Sequence, residues 1–161
     1  MPTIRLAVTL LALLGWWLLR LALNDALAPF GFSVLLTGLV PVFLCFRHPP
    51  SSAVALAFLT GLFDSVGTGD LRLGDAIFLG STVAFLAPFQ EGSVRLSAGR
   101  LAGIAAVVEV AGWLFRLWLD PVSGWHPWQL ALPVTSAGLT FLAAWLLFSL
   151  LPRGYDETQF A

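Results

Sequence analysis

The chain has 161 residues, of which 58% are hydrophobic and 11% charged, with a formal net charge of −1 and a mean hydropathy of +0.90. Soluble domains carry roughly 45–50% apolar and about 25% charged residues, so this composition predicts an all-α, polytopic membrane protein. Every base is an arginine, and eight bases against nine acids leave no basic field, so no nucleic-acid partner is expected.

A membrane-spanning helix needs about 20 mostly apolar residues, with a range of roughly 17–25. The first candidate runs from Leu6 to Leu23. The Ala26-Leu27-Ala28 that follows resembles a small-residue cleavage site. The length of the run and Arg20 near its end instead predict a retained first helix. The second span is expected from Pro29 to Phe46, the third from Ser52 to Val66 and the fourth from Gly74 to Phe89. The third and fourth are short, which predicts tilt, extension into their connection or shielding by neighbours. The fifth runs from Leu101 to Leu119 and the sixth from Gln129 to Leu151. Pro and Gly mark the breaks, at Asn24 to Pro29, His48 to Ser52, Gly67 to Gly74, Gln90 to Gly99 and Asp120 to Pro127. No connection is long enough to fold separately, so 1–161 reads as one transmembrane domain of six spans.

Between the third and fourth spans, Gly61 to Gly80 holds three aspartates and five glycines in an otherwise apolar chain. It predicts a special turn. Arginines set its side: with a cytoplasmic N-terminus, Arg5, Arg47, Arg95, Arg100 and Arg153 fall inside and Arg72 outside. Both termini are therefore expected in the cytoplasm. Asp25, Asp64, Asp70, Asp75 and Asp120 gather outside, with Trp118, Trp125 and Trp128 as interfacial anchors.

Charges within the spans need partners, because each costs roughly 2.5–3.5 kcal/mol at a helix centre on insertion scales. Arg20 and Arg116 lie about one turn from the outer boundary, Asp64 near the outer end of span three and Glu109 near the middle of span five. Glu109 and Arg116 share a helix face. The expectation is an outer polar network in which Arg116 or Arg20 meets Asp64, with Glu109 deeper on the same side. Snorkelling of Arg20 and capping of the turn by Asp64 are the competing structural roles. For Glu109, a structural pair outweighs a proton-relay or ligand role. Small residues at four-residue spacing, Ala98-Ala102-Ala106 beside Gly99 and Gly103, Ala76-Gly80-Ala84, and the pair Ala22 and Ala26, predict close helix contacts.

No constellation for catalysis emerges. The glycines at 61, 67, 69, 74 and 80 fit no phosphate-binding spacing and precede no Lys. Cys45 is alone, which removes an intrachain disulfide and a cysteine metal cage. His48 and His126 fall on opposite sides of the expected membrane and cannot share a metal. Ser123, His126 and Asp120 share a loop without convincing catalytic geometry. No enzyme activity, metal or cofactor is expected.

Pro41 opening an apolar run, the Pro-rich turn at His48 to Ser51, the helix ending Leu59-Thr-Gly-Leu-Phe-Asp64, a Gly-Thr-Gly turn, and Leu73-Gly74-Asp75-Ala76 leading the next span resemble the rod shape-determining MreD family. The resemblance covers Pro41 to Pro88 well and the rest through size and span count. It implies a non-enzymatic inner-membrane scaffold of bacterial wall elongation, with MreC as direct partner. The RodA polymerase and the penicillin-binding transpeptidase would associate directly or through MreC, and the cytoplasmic actin MreB indirectly. It also implies a fold like the substrate-binding subunits of energy-coupling-factor transporters. In that reading Asp64, Gly67, Gly69, Asp70 and Asp75 shape the outer turn. The alternative is a substrate-binding membrane subunit of a vitamin-type transporter, which would need an outward cavity of roughly 300 Å³ or more and a docking face such as Ala22 and Ala26.

Overall fold

The computed structural model describes residues 2–30, 35–67, 73–91, 97–119 and 131–150, and all regular structure among them is helical. The helices are α1 (Pro2–Leu27, followed by a 3-10 turn at Ala28–Phe30), α2 (Leu39–Arg47), α3 (Pro50–Gly67), α4 (Leu73–Glu91), α5 (Ala98–Leu119) and α6 (Ala131–Leu150). Four prolines sit where they cost least: Pro2 and Pro50 open α1 and α3, and Pro41 and Pro133 fall in first turns, where a backbone N–H would have no intrahelical partner; Pro88, inside α4, is an exception. Ser97 starts α5, its carbonyl accepting from the amides of Arg100 and Leu101.

Three helical segments are long and apolar enough to cross a membrane: 6–30, Ala98–Leu119 and Ala131–Leu150. α3 and α4 contribute shorter apolar stretches. The large apolar side chains left exposed, from Leu11 on α1 to Phe85 on α4 and Leu150 on α6, suit a hydrocarbon surround.

The second run is where expectation and structure part. In place of one span over 29–46, the chain makes the 3-10 turn, leaves helical geometry at Leu35 and Leu36, and starts α2 only at Leu39. Leu36 has φ 52°, the left-handed region that costs a side chain energy and that no unbroken helix contains. With nine residues, α2 is about 14 Å long, under half of a bilayer core of about 30 Å.

This short helix is nevertheless the centre of the molecule. α3 and α4 pair with each other, α5 and α6 pair with each other, and α2 lies between the two hairpins. Its two faces feed two apolar clusters. Leu39, Val42 and Cys45 pack with Leu101, Ala102, Ala105 and Ala144, while Val40 and Leu44 pack with Ala53, Ala57, Leu79 and Val83. α1 lies outside and reaches these clusters through Leu13, Trp16, Leu23 and Leu27.

Because lipid tails are as apolar as leucine, close packing rather than exclusion of water has to hold such helices together. The structure puts the closest approaches at two glycines. A Cβ on Gly61 would stand 2.5 Å from Ala76 Cα, which sets the α3–α4 crossing, and a Cβ on Gly38 would stand 1.9 Å from the Ala105 carbonyl oxygen. Of the expected small-residue ladders, Ala76 and Gly80 are buried but Ala84 is exposed, and Ala102 is buried while Gly99 and Gly103 have open space beside them. Ala22 and Ala26 are exposed.

Candidate functional site

Arg20 comes from the last part of α1, Asp64 from the end of α3, Asp75 from the first turn of α4 and Arg116 from the last turn of α5, so antiparallel topology delivers all four to one end of the bundle. Arg20 Nη1 donates to Asp64 Oδ1, and both side chains are buried. Arg116 grips Asp75 with two bonds, Nε to Oδ1 at 3.1 Å and Nη2 to Oδ2 at 2.9 Å. The same Nη2 lies 3.5 Å from Asp64 Oδ2, which links the two pairs. Among the described residues, two cations and two anions thus meet in one cluster. Asp75 and Arg116 also sit at the helix ends whose dipoles favour their charges. The expected meeting of Asp64 with Arg20 or Arg116 is found with both arginines, and Asp75 joins them.

Glu109 belongs to a second cluster. Its side chain is fully buried on α5, two turns from Arg116, and its partners are not arginines. Oε1 accepts from the Leu36 amide at 2.9 Å and from the Ser136 hydroxyl of α6; Oε2 accepts from the Gly38 amide at 2.9 Å and from the Thr37 hydroxyl at 3.0 Å. Ser136 Oγ in turn accepts from the Leu35 amide at 3.2 Å. Four donors meet the lone pairs of one carboxylate. The first amides of a helix have no intrahelical acceptor, and in an apolar surround they must find one. Glu109 supplies it from another helix, doing for α2 what an N-cap side chain does locally.

Trp16 joins the two clusters. Its indole N–H donates to the Leu36 carbonyl at 2.9 Å, and its ring lies 5.8 Å from the Arg20 guanidinium carbon, within cation–π range. At the other end of α1, Thr9 is hydrogen bonded to His48 at 2.7 Å. Thr9, Trp16 and Arg20 lie on one helical face, so this face fastens α1 to the bundle at three levels.

Of the remaining residues singled out in the sequence, Gly67 is the last residue of α3. Gly69 and Asp70 lie outside the described residues, as do Arg72, Asp120, Ser123, Trp125, His126 and Trp128. Sequence reasoning missed Thr37, Ser136 and Trp16; the only signal for the first two was that a mid-span glutamate needs donors. Among the described residues no group of His, Cys, Asp or Glu could hold a metal ion. No family model, curated protein or solved structure matches the chain.

Two substitutions follow from this geometry. Gly38→Ala forces the α2 start away from α5, and overpacking of this kind typically costs about 1–3 kcal/mol; thermal unfolding in detergent should show it. On α6, Ser136→Ala removes a donor to Glu109 and the acceptor of Leu35, and should destabilise by about 1–3 kcal/mol. Thr140 is fully buried with no partner for its hydroxyl. Thr140→Val should therefore be neutral or stabilising in the same assay.

Proposed function

We propose that the chain is a non-enzymatic scaffold of the bacterial cell-wall elongation complex, an MreD-type protein of the inner membrane with both termini in the cytoplasm. The observation that carries this reading is that, among the described residues, the buried charged groups are engaged by one another or by the chain's own backbone and hydroxyls. A broken helix whose N-terminus points at an anion is a common substrate site in transporters. Here the anion is the chain's own Glu109, with both oxygens engaged. The described arginines and aspartates at the end of the bundle likewise pair with one another.

The cavity between α1 and α3 is about 250 Å³ and lined by apolar side chains, which suits neither the size nor the polarity of a vitamin site. In this reading recognition lies on the outer helix surface and the turn after Asp64. The stretch that resembles MreD, from Pro41 to Pro88, holds most of the central helix α2, the α3–α4 hairpin and two of the four clustered charges. Orientation rests on arginine: Arg47 and Arg100 stand at the bundle end opposite the Asp64 cluster.

Depletion in the native host tests the reading. Rod-shaped cells should round up and widen, and the wild-type gene should restore them. Unchanged cell shape on depletion would reject it.

A further inference from the structure

The gap between α1 and α3 is formed by five leucines, two tryptophans, Thr60 and Phe63. Two of its polar atoms are already committed: the Thr60 hydroxyl donates to the Leu56 carbonyl at 2.7 Å, and the Trp16 indole donates to Leu36. Water needs two to four polar partners to occupy a cavity, whereas apolar cavities stay dry and take apolar guests. The gap runs from Leu10 and Leu56 to Trp17 and Phe63, about 10 Å along the helices.

One end of the gap is shut. The Trp17 and Phe63 rings meet edge to face at 6.2 Å, and one turn further the Arg20–Asp64 pair crosses from α1 to α3. The side is open, since Leu10, Leu14, Leu59 and Phe63 at its rim are all exposed. A single hydrocarbon chain suits an apolar gap of about 250 Å³ that is open along its side.

The opposite end of the bundle offers a charge for the headgroup. Phe43 packs in the same apolar cluster as Leu13 and Leu56 of the gap, and Arg47 lies over the Phe43 ring at 5.7 Å, itself exposed. A chain entering from that end passes Arg47 and then reaches the level of Leu56, six residues or about 9 Å into α3.

We propose that the α1–α3 groove binds one acyl chain of an anionic phospholipid whose phosphate meets Arg47. The lipid fills a void that would otherwise cost the lining its dispersion contacts and seats α1, which touches the bundle mainly through side chains, against α3. This holds whether or not the scaffold reading does, since it rests on the groove and on Arg47.

The test is native mass spectrometry of the full chain, reconstituted with equal phosphatidylglycerol and phosphatidylcholine and then extracted into a mild detergent. One phosphatidylglycerol per chain should survive, at least tenfold over phosphatidylcholine. Leu14→Trp with Leu59→Trp, which fills the groove, should reduce retention at least tenfold; Leu59→Trp alone serves if the pair does not fold. Arg47→Gln should abolish the preference between the two lipids. No retained lipid, equal retention of both lipids by the wild type, retention unaffected by filling, or a second copy of the chain at the groove would overturn the proposal.

Discussion

Glu109→Ala should be the most damaging single substitution in this chain, destabilising it by about 3–5 kcal/mol and removing most folded protein from the membrane. The loss is not that of one contact. Two backbone amides of the α2 start and two hydroxyls, on Thr37 and Ser136, all donate to this carboxylate. Each donor left unpaired in an apolar surround costs on the order of 1–3 kcal/mol, reduced by whatever relaxation finds another acceptor. Glu109→Gln should fall between, because its amide oxygen still accepts from one side while its NH₂ faces donors on the other. Fluorescence-detected size exclusion after a heating series measures the order: wild type, then Gln, then Ala. A melting point for Glu109→Ala within a degree or two of wild type would show that α2 does not depend on this cap.

The second large effect is an asymmetry between Asp64 and Arg20. Asp64→Leu takes away the carboxylate that Arg20 meets, and leaving a buried charge without its partner typically costs 3–5 kcal/mol. Arg20→Met is expected to be milder, because Asp64 keeps Arg116 within 3.5 Å. Combining Arg20→Met with Asp64→Leu should recover most of the loss, since replacing a buried ion pair by packed apolar groups is often neutral. A full cycle of the two single variants and the double variant would give a coupling of about 3–5 kcal/mol, the size of the Asp64→Leu loss that the second substitution relieves. Equal effects of the two single substitutions would mean that Arg116 does not share Asp64.

The charges were the readable part of this sequence, for a physical reason. An arginine and an aspartate near the same end of two apolar runs each need a partner, and between pairing, snorkelling and turn capping the structure shows pairing. The break in the second span was hidden by the same logic. From Pro29 to Phe46 the composition is continuous and apolar. What permits the break is a carboxylate 71 residues beyond Gly38, which accepts from the Leu36 and Gly38 amides where Leu36 leaves helical geometry. Local propensity cannot register a cap that arrives from another helix. Gly38 behaves similarly: its φ is −64°, so its smallness serves the approach of Ala105 rather than any turn. Repeated Ala and Gly on α5 looked like a contact face, yet Gly103 has open space beside it. Spacing marks where helices could approach; which of them do depends on the partner's own side chains.

Co-purification tests the central claim most directly. The full chain, co-expressed with the MreC-type protein of its own host and extracted in mild detergent, should elute with it as one stable complex. Survival of that complex in the Arg20→Met, Asp64→Leu variant would show that recognition lies on the outer surface. Failure to associate, together with tight retention of a vitamin-like molecule by the wild-type chain, would contradict the account and favour a transporter subunit.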